Sequence, residues 1–138
     1  MQKIYLLVGC PGVGKSWVTR QLASSFTPIE HDEYRDYEER YVPTLLRIAR
    51  TGTKPVIANT PFGVSEIMAE IDRGGGVCVP IFIVDAEERV KARYEARDGK
   101  PIPSGHLTRQ KTYMKRAHNL GAFMGNSDQV LKHLQSLL

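Results

Sequence analysis

Residues Gly9-Cys10-Pro11-Gly12-Val13-Gly14-Lys15-Ser16 fit the phosphate-binding loop pattern G-x-x-x-x-G-K-[ST] at every fixed position. This constrains the fold, because such a loop works only between a strand and a helix. An apolar run, Ile4 to Val8, precedes it and suits a buried strand. Trp17 to Ser25 follows, with Val18, Leu22 and Ser25 at helical spacing. That order aims backbone N–H groups and the positive end of a helix at phosphate oxygens. The pattern places the chain among users of nucleoside triphosphates and leaves open what the triphosphate is used for.

Within the loop, Gly9, Gly12 and Gly14 allow backbone conformations closed to other residues and let phosphates approach closely. The segment from Gly9 through Cys10, Pro11 and Val13 to Ser16 is the expected cradle. Lys15 is expected to reach the β- and γ-phosphates, and the Ser16 hydroxyl to ligate Mg²⁺. Cys10 reads as a small filler.

The chain has 138 residues, 41% hydrophobic and 25% charged, which suits a single domain spanning 1–138. No apolar run is long enough to span a bilayer, and Met1 opens no signal-peptide pattern. Cys10 and Cys78 have no spacing motif, which argues against a disulfide framework and a structural zinc site. The expected compartment is a reducing cytoplasm, with no membrane partner. A net charge of +4 suits an anionic partner, and a triphosphate alone can account for it.

Strand-like and helix-like segments alternate, which predicts an α/β fold with a mostly parallel sheet. Strands are expected at Lys3 to Val8, Pro28 to His31, Lys54 to Asn59 and Val77 to Val84. Helices are expected at Trp17 to Ser25, Glu33 to Thr51 with a break at Pro43, Val64 to Asp72, Asp85 to Arg97, Thr108 to Leu120 and Ser127 to Leu138. Asp98 to Gly105 reads as a Gly/Pro-rich loop. In such sheets the ligand sits outside the carboxyl ends of the strands, so the residues after Val8, His31, Asn59 and Val84 matter most.

After the second strand comes Glu30-His31-Asp32-Glu33-Tyr34-Arg35. Phosphoryl transfer to a hydroxyl needs a carboxylate to orient the nucleophile and accept its proton. Asp32 stands where strand gives way to helix and suits that task. It also suits an N-cap, and the two roles are compatible. Glu30 and Glu33 read as solvated. Asn59 and Thr60 follow the third strand, where many phosphate-loop proteins place an Asp. They are candidate polar contacts to substrate, or simply a helix-start turn before Pro61. Asp85-Ala86-Glu87-Glu88 reads as a capping box with Asp85 as the cap. Arg93 and Arg97 share one helical face beside the Gly/Pro-rich loop. The face is either solvated or a lid, with Arg93 on the bound triphosphate and Arg97 on the transferring phosphoryl group. Tyr34, Tyr37 and Tyr41 lie at helical spacing, for core packing or for stacking a base.

These pieces together resemble the kinase domain of the phage polynucleotide 5′-kinase family. The resemblance is carried by the loop with Cys10-Pro11 inside it, by Asp32-Glu33-Tyr34-Arg35, by Lys54 to Thr60, and by Arg93 to Pro103 with Leu107 to Lys115. It runs thinly over the rest of the chain. It implies an adenylate-kinase-like P-loop NTPase fold, three layers around a central parallel sheet. It further implies Asp32 as general base, Arg35 as a ligand of the acceptor phosphate and Arg97 as the lid arginine. The family places an Asp where this chain has Asn59. The stretch between Asp32 and the third strand is also short for the family.

The expected function is an ATP-dependent kinase, using ATP or another nucleoside triphosphate with Mg²⁺. The expected acceptor is the 5′-hydroxyl of DNA or RNA. The alternatives are a kinase of a nucleotide, nucleoside or other small metabolite, and a nucleotide-binding protein without catalysis. In the last case the basic residues Arg109, Lys111, Lys115 and Arg116 would dock an anionic partner, where they otherwise read as a solvated face.

Overall fold

The first strand, β1 (Ile4–Val8), is apolar at every position and buried at every position. A strand of that kind has to be covered on both faces. Ile4, Leu6 and Val8 enter one hydrophobic cluster, while Tyr5 and Leu7 enter another. The computed structural model describes residues 1–30, 37–60 and 63–138, and for residues 37–39 the backbone only.

Helix α1 (Lys15–Gln21) and strand β2 (Thr27–Ile29) follow β1. Next come α2 (Tyr37–Thr51), β3 (Val56–Thr60), α3 (Val64–Arg73) and β4 (Cys78–Ile83). The chain continues with α4 (Glu87–Asp98), α5 (Ser104–Leu120), β5 (Phe123–Gly125) and α6 (Ser127–Ser136). The five strands pair in the order β2-β3-β1-β4-β5, and every pairing is parallel. Helices α2, α3 and α5 supply Tyr41, Leu45, Ile67, Ile71 and Tyr113 to the cluster on one face. Helices α1, α4 and α6 supply Val18, Val90, Val130 and Leu134 to the other. The result is three layers with β1 central.

Several elements differ from expectation. Helix α1 stops at Gln21 and passes into turns, with the Phe26 N–H bonded to the Leu22 carbonyl at 2.9 Å. The expected helix break at Pro43 does not occur. Burial of Tyr41, Val42, Leu45, Leu46 and Ala49 along α2 offsets the backbone bond that proline forfeits. The expected start of that helix, residues 33–36, lies outside the described residues. Helix α5 begins at Ser104, inside the stretch expected to be a loop; Gly99, at φ 70°, ends α4, and only a short connection remains. Strand β5 was not anticipated. Its three residues are too few to show a period, and they are recognised only by pairing with Ile81, Phe82 and Ile83. Pro28 is tolerated because β2 lies at the sheet edge.

Candidate active site

The phosphate-binding loop leaves β1 at the centre of the sheet, where strand order reverses and α/β sheets open their crevice. The loop is tightly built. A side chain at Gly9 would bring a Cβ within 2.7 Å of the Ile83 carbonyl oxygen. Gly14 has φ +103°, and its α-carbon faces the Ser127 side chain, so only glycine fits there without strain. The Lys15 ammonium donates to the Gly9 carbonyl, folding its side chain back across the loop.

A cavity of about 690 Å³ opens beside the loop. Cys10, Pro11, Gly12, Gly14, Lys15 and Ser16 form its base. Trp17 and Arg20 of α1 stand on one side, Arg93 and Arg97 of α4 on another, and Asn59 closes the end of β3. Four cationic side chains thus converge on one hollow, and no acidic residue is among the described residues that line it. That field suits a polyanion.

Arg93 is held from two sides. Its guanidinium lies 3.2 Å from a carboxylate oxygen of Asp85 and donates to the Val13 carbonyl at 3.4 Å. The Asp85 side chain is only 6% exposed, and Arg89 approaches its other oxygen at 3.7 Å. The Arg93 contact is an ion pair and not an aligned hydrogen bond. Asp85 is therefore not the expected helix cap. Ala86 occupies the N-cap position without a side-chain bond, and Asp85 turns inward to fix an arginine against the loop. The capping box lies elsewhere, between Asn126 and Gln129 at the start of α6.

Arg97 pairs with Asp98 at 3.0 Å and lies over the Tyr94 ring, 5.6 Å from its centroid. The Asp98 carboxyl is held below its ordinary pKa, chiefly by the hydrogen bond from Arg97. The charge field also reaches His106, whose pKa is lowered first by burial and then by Arg109, Lys15 and Arg97. Cys10 is fully buried, and burial raises its thiol pKa more than Lys15 and Arg109 lower it. That agrees with a filler.

The expected site residues are distributed unevenly. Cys10, Pro11, Gly12, Gly14, Lys15, Ser16, Asn59, Arg93 and Arg97 meet at the cavity. Gly9 and Val13 form the loop's inner side, with Val13 fully buried. Thr60 is fully buried in β3, level with Val8. Asp32 and Arg35 lie outside the described residues, as do His31, Glu33 and Tyr34. Tyr41 is core: it is fully buried, and its hydroxyl donates to the Asn59 carbonyl at 2.8 Å. Lys111 and Lys115 are exposed, and Lys111 is 3.9 Å from Glu87.

Glu30 departs most from expectation. It is half-buried rather than solvated, and one of its carboxylate oxygens accepts from the Asn59 amide and, at 3.4 Å, from the Ser16 hydroxyl. A carboxylate directly after a strand that pairs beside β1's neighbour was the available signal. Gln110, buried inside α5, was also missed, because nothing local distinguishes it from the exposed polar residues around it.

No family model and no curated protein sequence matches the chain. Solved structures do. The tunicamycin resistance protein of Deinococcus radiodurans superposes with a TM-score of 0.69 at 15% identity, over 99% of this chain and 95% of that one. A designed protein described as a P-loop NTPase fold superposes with a TM-score of 0.61 at 8% identity, over 99% and 89%. This is a P-loop fold. Among its structural neighbours are kinases. A sugar kinase from Janibacter sp. HTCC2649 has a TM-score of 0.59 at 14% identity, over 99% of this chain and 94% of that one. A gluconokinase from Sinorhizobium meliloti 1021 has 0.51 at 18%, over 80% and 73%. At these identities the likeness concerns the P-loop fold itself.

Proposed function

We propose that the chain is an ATP-dependent kinase that transfers the γ-phosphoryl group of ATP, or of another nucleoside triphosphate, to a hydroxyl. The observation that carries this reading is the convergence of Lys15, Arg93 and Arg97 on the cavity at the phosphate-binding loop. A loop alone binds nucleotide. Arginines brought over it from a separate helix add what transfer requires, neutralisation of charge on the moving group.

In this reading the loop amides and Lys15 hold the β- and γ-phosphates. Arg93, fixed by Asp85 and the Val13 carbonyl, holds the triphosphate from the side. Arg97 leaves Asp98 and closes on the γ-phosphoryl group. Asp32 orients the acceptor hydroxyl and takes its proton. The acceptor oxygen bonds to the γ-phosphorus as the bond to the bridging oxygen breaks, and the nucleoside diphosphate departs. Ser16 offers a hard oxygen of the kind Mg²⁺ takes, and the bound ion would offset charge on the β- and γ-oxygens.

For the acceptor we propose the 5′-hydroxyl of DNA or RNA, with Arg35 on its phosphate. The resemblance at Asp32 to Arg35 supports this. So does the rim of the cavity, where Trp17, 36% exposed, and Arg20 stand three residues apart on α1. An aromatic face beside a cation is the usual platform for a single-stranded end. The size of the cavity favours a second reading, a nucleotide or small metabolite acceptor, since about 690 Å³ is an ordinary volume for small-molecule sites.

The test is transfer of labelled γ-phosphate to a panel of 5′-hydroxyl oligonucleotides, nucleosides and small polyols. Label on oligonucleotides is the expected result. Label on small acceptors alone selects the second reading, and ATP binding without transfer to any acceptor removes the kinase. Asp32→Asn is expected to bind nucleotide normally and to transfer nothing.

A further inference from the structure

The acid expected at the end of β3 is absent from this chain, where Asn59 stands instead, yet a carboxylate is present one strand away. Glu30 follows β2 directly, and β2 pairs with β3. One of its oxygens accepts two hydrogen bonds, from the Asn59 side-chain amide and from the Ser16 hydroxyl at 3.4 Å. Ser16 is the residue whose hydroxyl faces the metal in phosphate-binding loops. We propose that Glu30 is the metal-side carboxylate of this site, and that Asn59 is its positioning residue. The proposal rests on the kinase reading above and names the group that completes its magnesium site.

The chemistry is consistent at each residue. Mg²⁺ takes oxygen ligands, keeps several waters, and needs only one or two protein carboxylates beside the substrate phosphates. Glu30 supplies the carboxylate, and the Ser16 hydroxyl beside it supplies a second oxygen. Among the described residues no group of three or more acids, histidines or cysteines could hold a metal without the nucleotide. Asn59 is 4% exposed and also borders the cavity. An Asp there would set a second negative charge against Glu30 in a poorly solvated place, which like charges disfavour. The amide replaces that repulsion with a donated hydrogen bond. The departure at position 59 and the carboxylate at position 30 are thus two halves of one arrangement. The acid has moved from β3 to β2, and the residue left behind holds it in place.

The test is binding of a non-hydrolysable ATP analogue to the full chain by calorimetry, with EDTA and with Mn²⁺ as the metal probe. The wild type is expected to bind more tightly with Mn²⁺. Glu30→Gln keeps an acceptor for Asn59, so it is expected to bind normally in EDTA and to lose about tenfold or more of the Mn²⁺ enhancement. Glu30→Gln combined with Asn59→Asp returns a carboxylate to the site and is expected to regain the enhancement. Equal enhancement in wild type and Glu30→Gln overturns the proposal, as does an equal loss of affinity with and without Mn²⁺. A second measurement stands independently of the folding of Glu30→Gln. With the ATP analogue present, Asn59→Asp alone is expected to melt below wild type in EDTA, and that gap is expected to close when Mn²⁺ replaces EDTA. Melting that is indifferent to the metal overturns the proposal. A wild type that binds no analogue under either condition removes the kinase reading itself, which is a different result from binding without a Glu30 effect.

Discussion

The side chain of Gln110 grips the backbone of Asp85 from both sides. Its Oε1 accepts from the Asp85 N–H at 3.3 Å, and its Nε2 donates to the Asp85 carbonyl at 2.9 Å. Gln110 is 4% exposed, so both bonds form away from bulk water. The contact ties α5 to the end of β4, at the residue whose carboxylate holds Arg93 against the phosphate-binding loop.

Gln110→Ala is therefore expected to do two things. Leaving the Asp85 N–H and carbonyl unpaired costs about 1–3 kcal/mol, which urea denaturation would measure as a lower midpoint at unchanged slope. Nucleotide affinity should also fall, because Asp85 loses its anchor. A variant with wild-type stability would mean that water replaces the amide at no cost.

Arg93→Ala is expected to weaken triphosphate binding. A hydrogen bond from a charged donor contributes about 1.5–3 kcal/mol, so the Kd should rise about ten- to hundredfold by titration calorimetry. Asp85→Asn should move affinity in the same direction by less, since it frees the guanidinium without removing it.

Arg97→Ala is expected to act on turnover. Its side chain is 58% exposed and engages Asp98 and Tyr94, which leaves it able to swing into the cavity. A lid arginine contributes on the order of 10³ or more to phosphoryl transfer, so kcat should drop by that order while nucleotide Kd stays near wild type. A change confined to Kd would assign Arg97 to ground-state binding.

The thiols give a prediction in pH. Burial pushes the Cys78 thiol from an ordinary 9.0 up to about 12. The unfolded chain loses that proton first as pH rises. The stability Cys78 contributes is therefore fully present below pH 9 and is lost between pH 9 and 12. Cys78→Ala should flatten that alkaline loss in thermal melts. Cys10, buried and also shifted upward, should react with a disulfide reagent at neutral pH far more slowly than in denaturant.

Much of the donor half of the site was legible because it is local. Eight of the cavity's lining residues run from Cys10 to Arg20, in the motif and the first turns of the helix it opens. The β1 strand and the amphipathic faces of α2 and α3 follow from apolar period alone. What was hidden depends on pairings across the chain. Glu30 meets Asn59 across 29 positions, Arg93 meets Val13 across 80, and β5 exists only through β4. Asp85 shows how a local rule can mislead. An Asp three residues before a Glu is a good cap in an isolated helix, but here Arg93, two turns further along α4, offers a buried carboxylate more than the helix end does. Pro43 stays inside α2 for a related reason, since packing against the sheet overrides the propensity of a single residue.

The loop near the start of the chain is completed by residues made much later. Gly9 packs under Ile83, and Gly14 sits against Ser127. A ribosome that has released only the first strand and helix has made the motif but not its walls. Contacts this distant in sequence form late, because the intervening chain has to be ordered first. Nucleotide cannot then assist early stages of folding during synthesis, and a nascent chain that ends before β4 should be blind to ATP. Affinity for the triphosphate becomes a report that the sheet has closed.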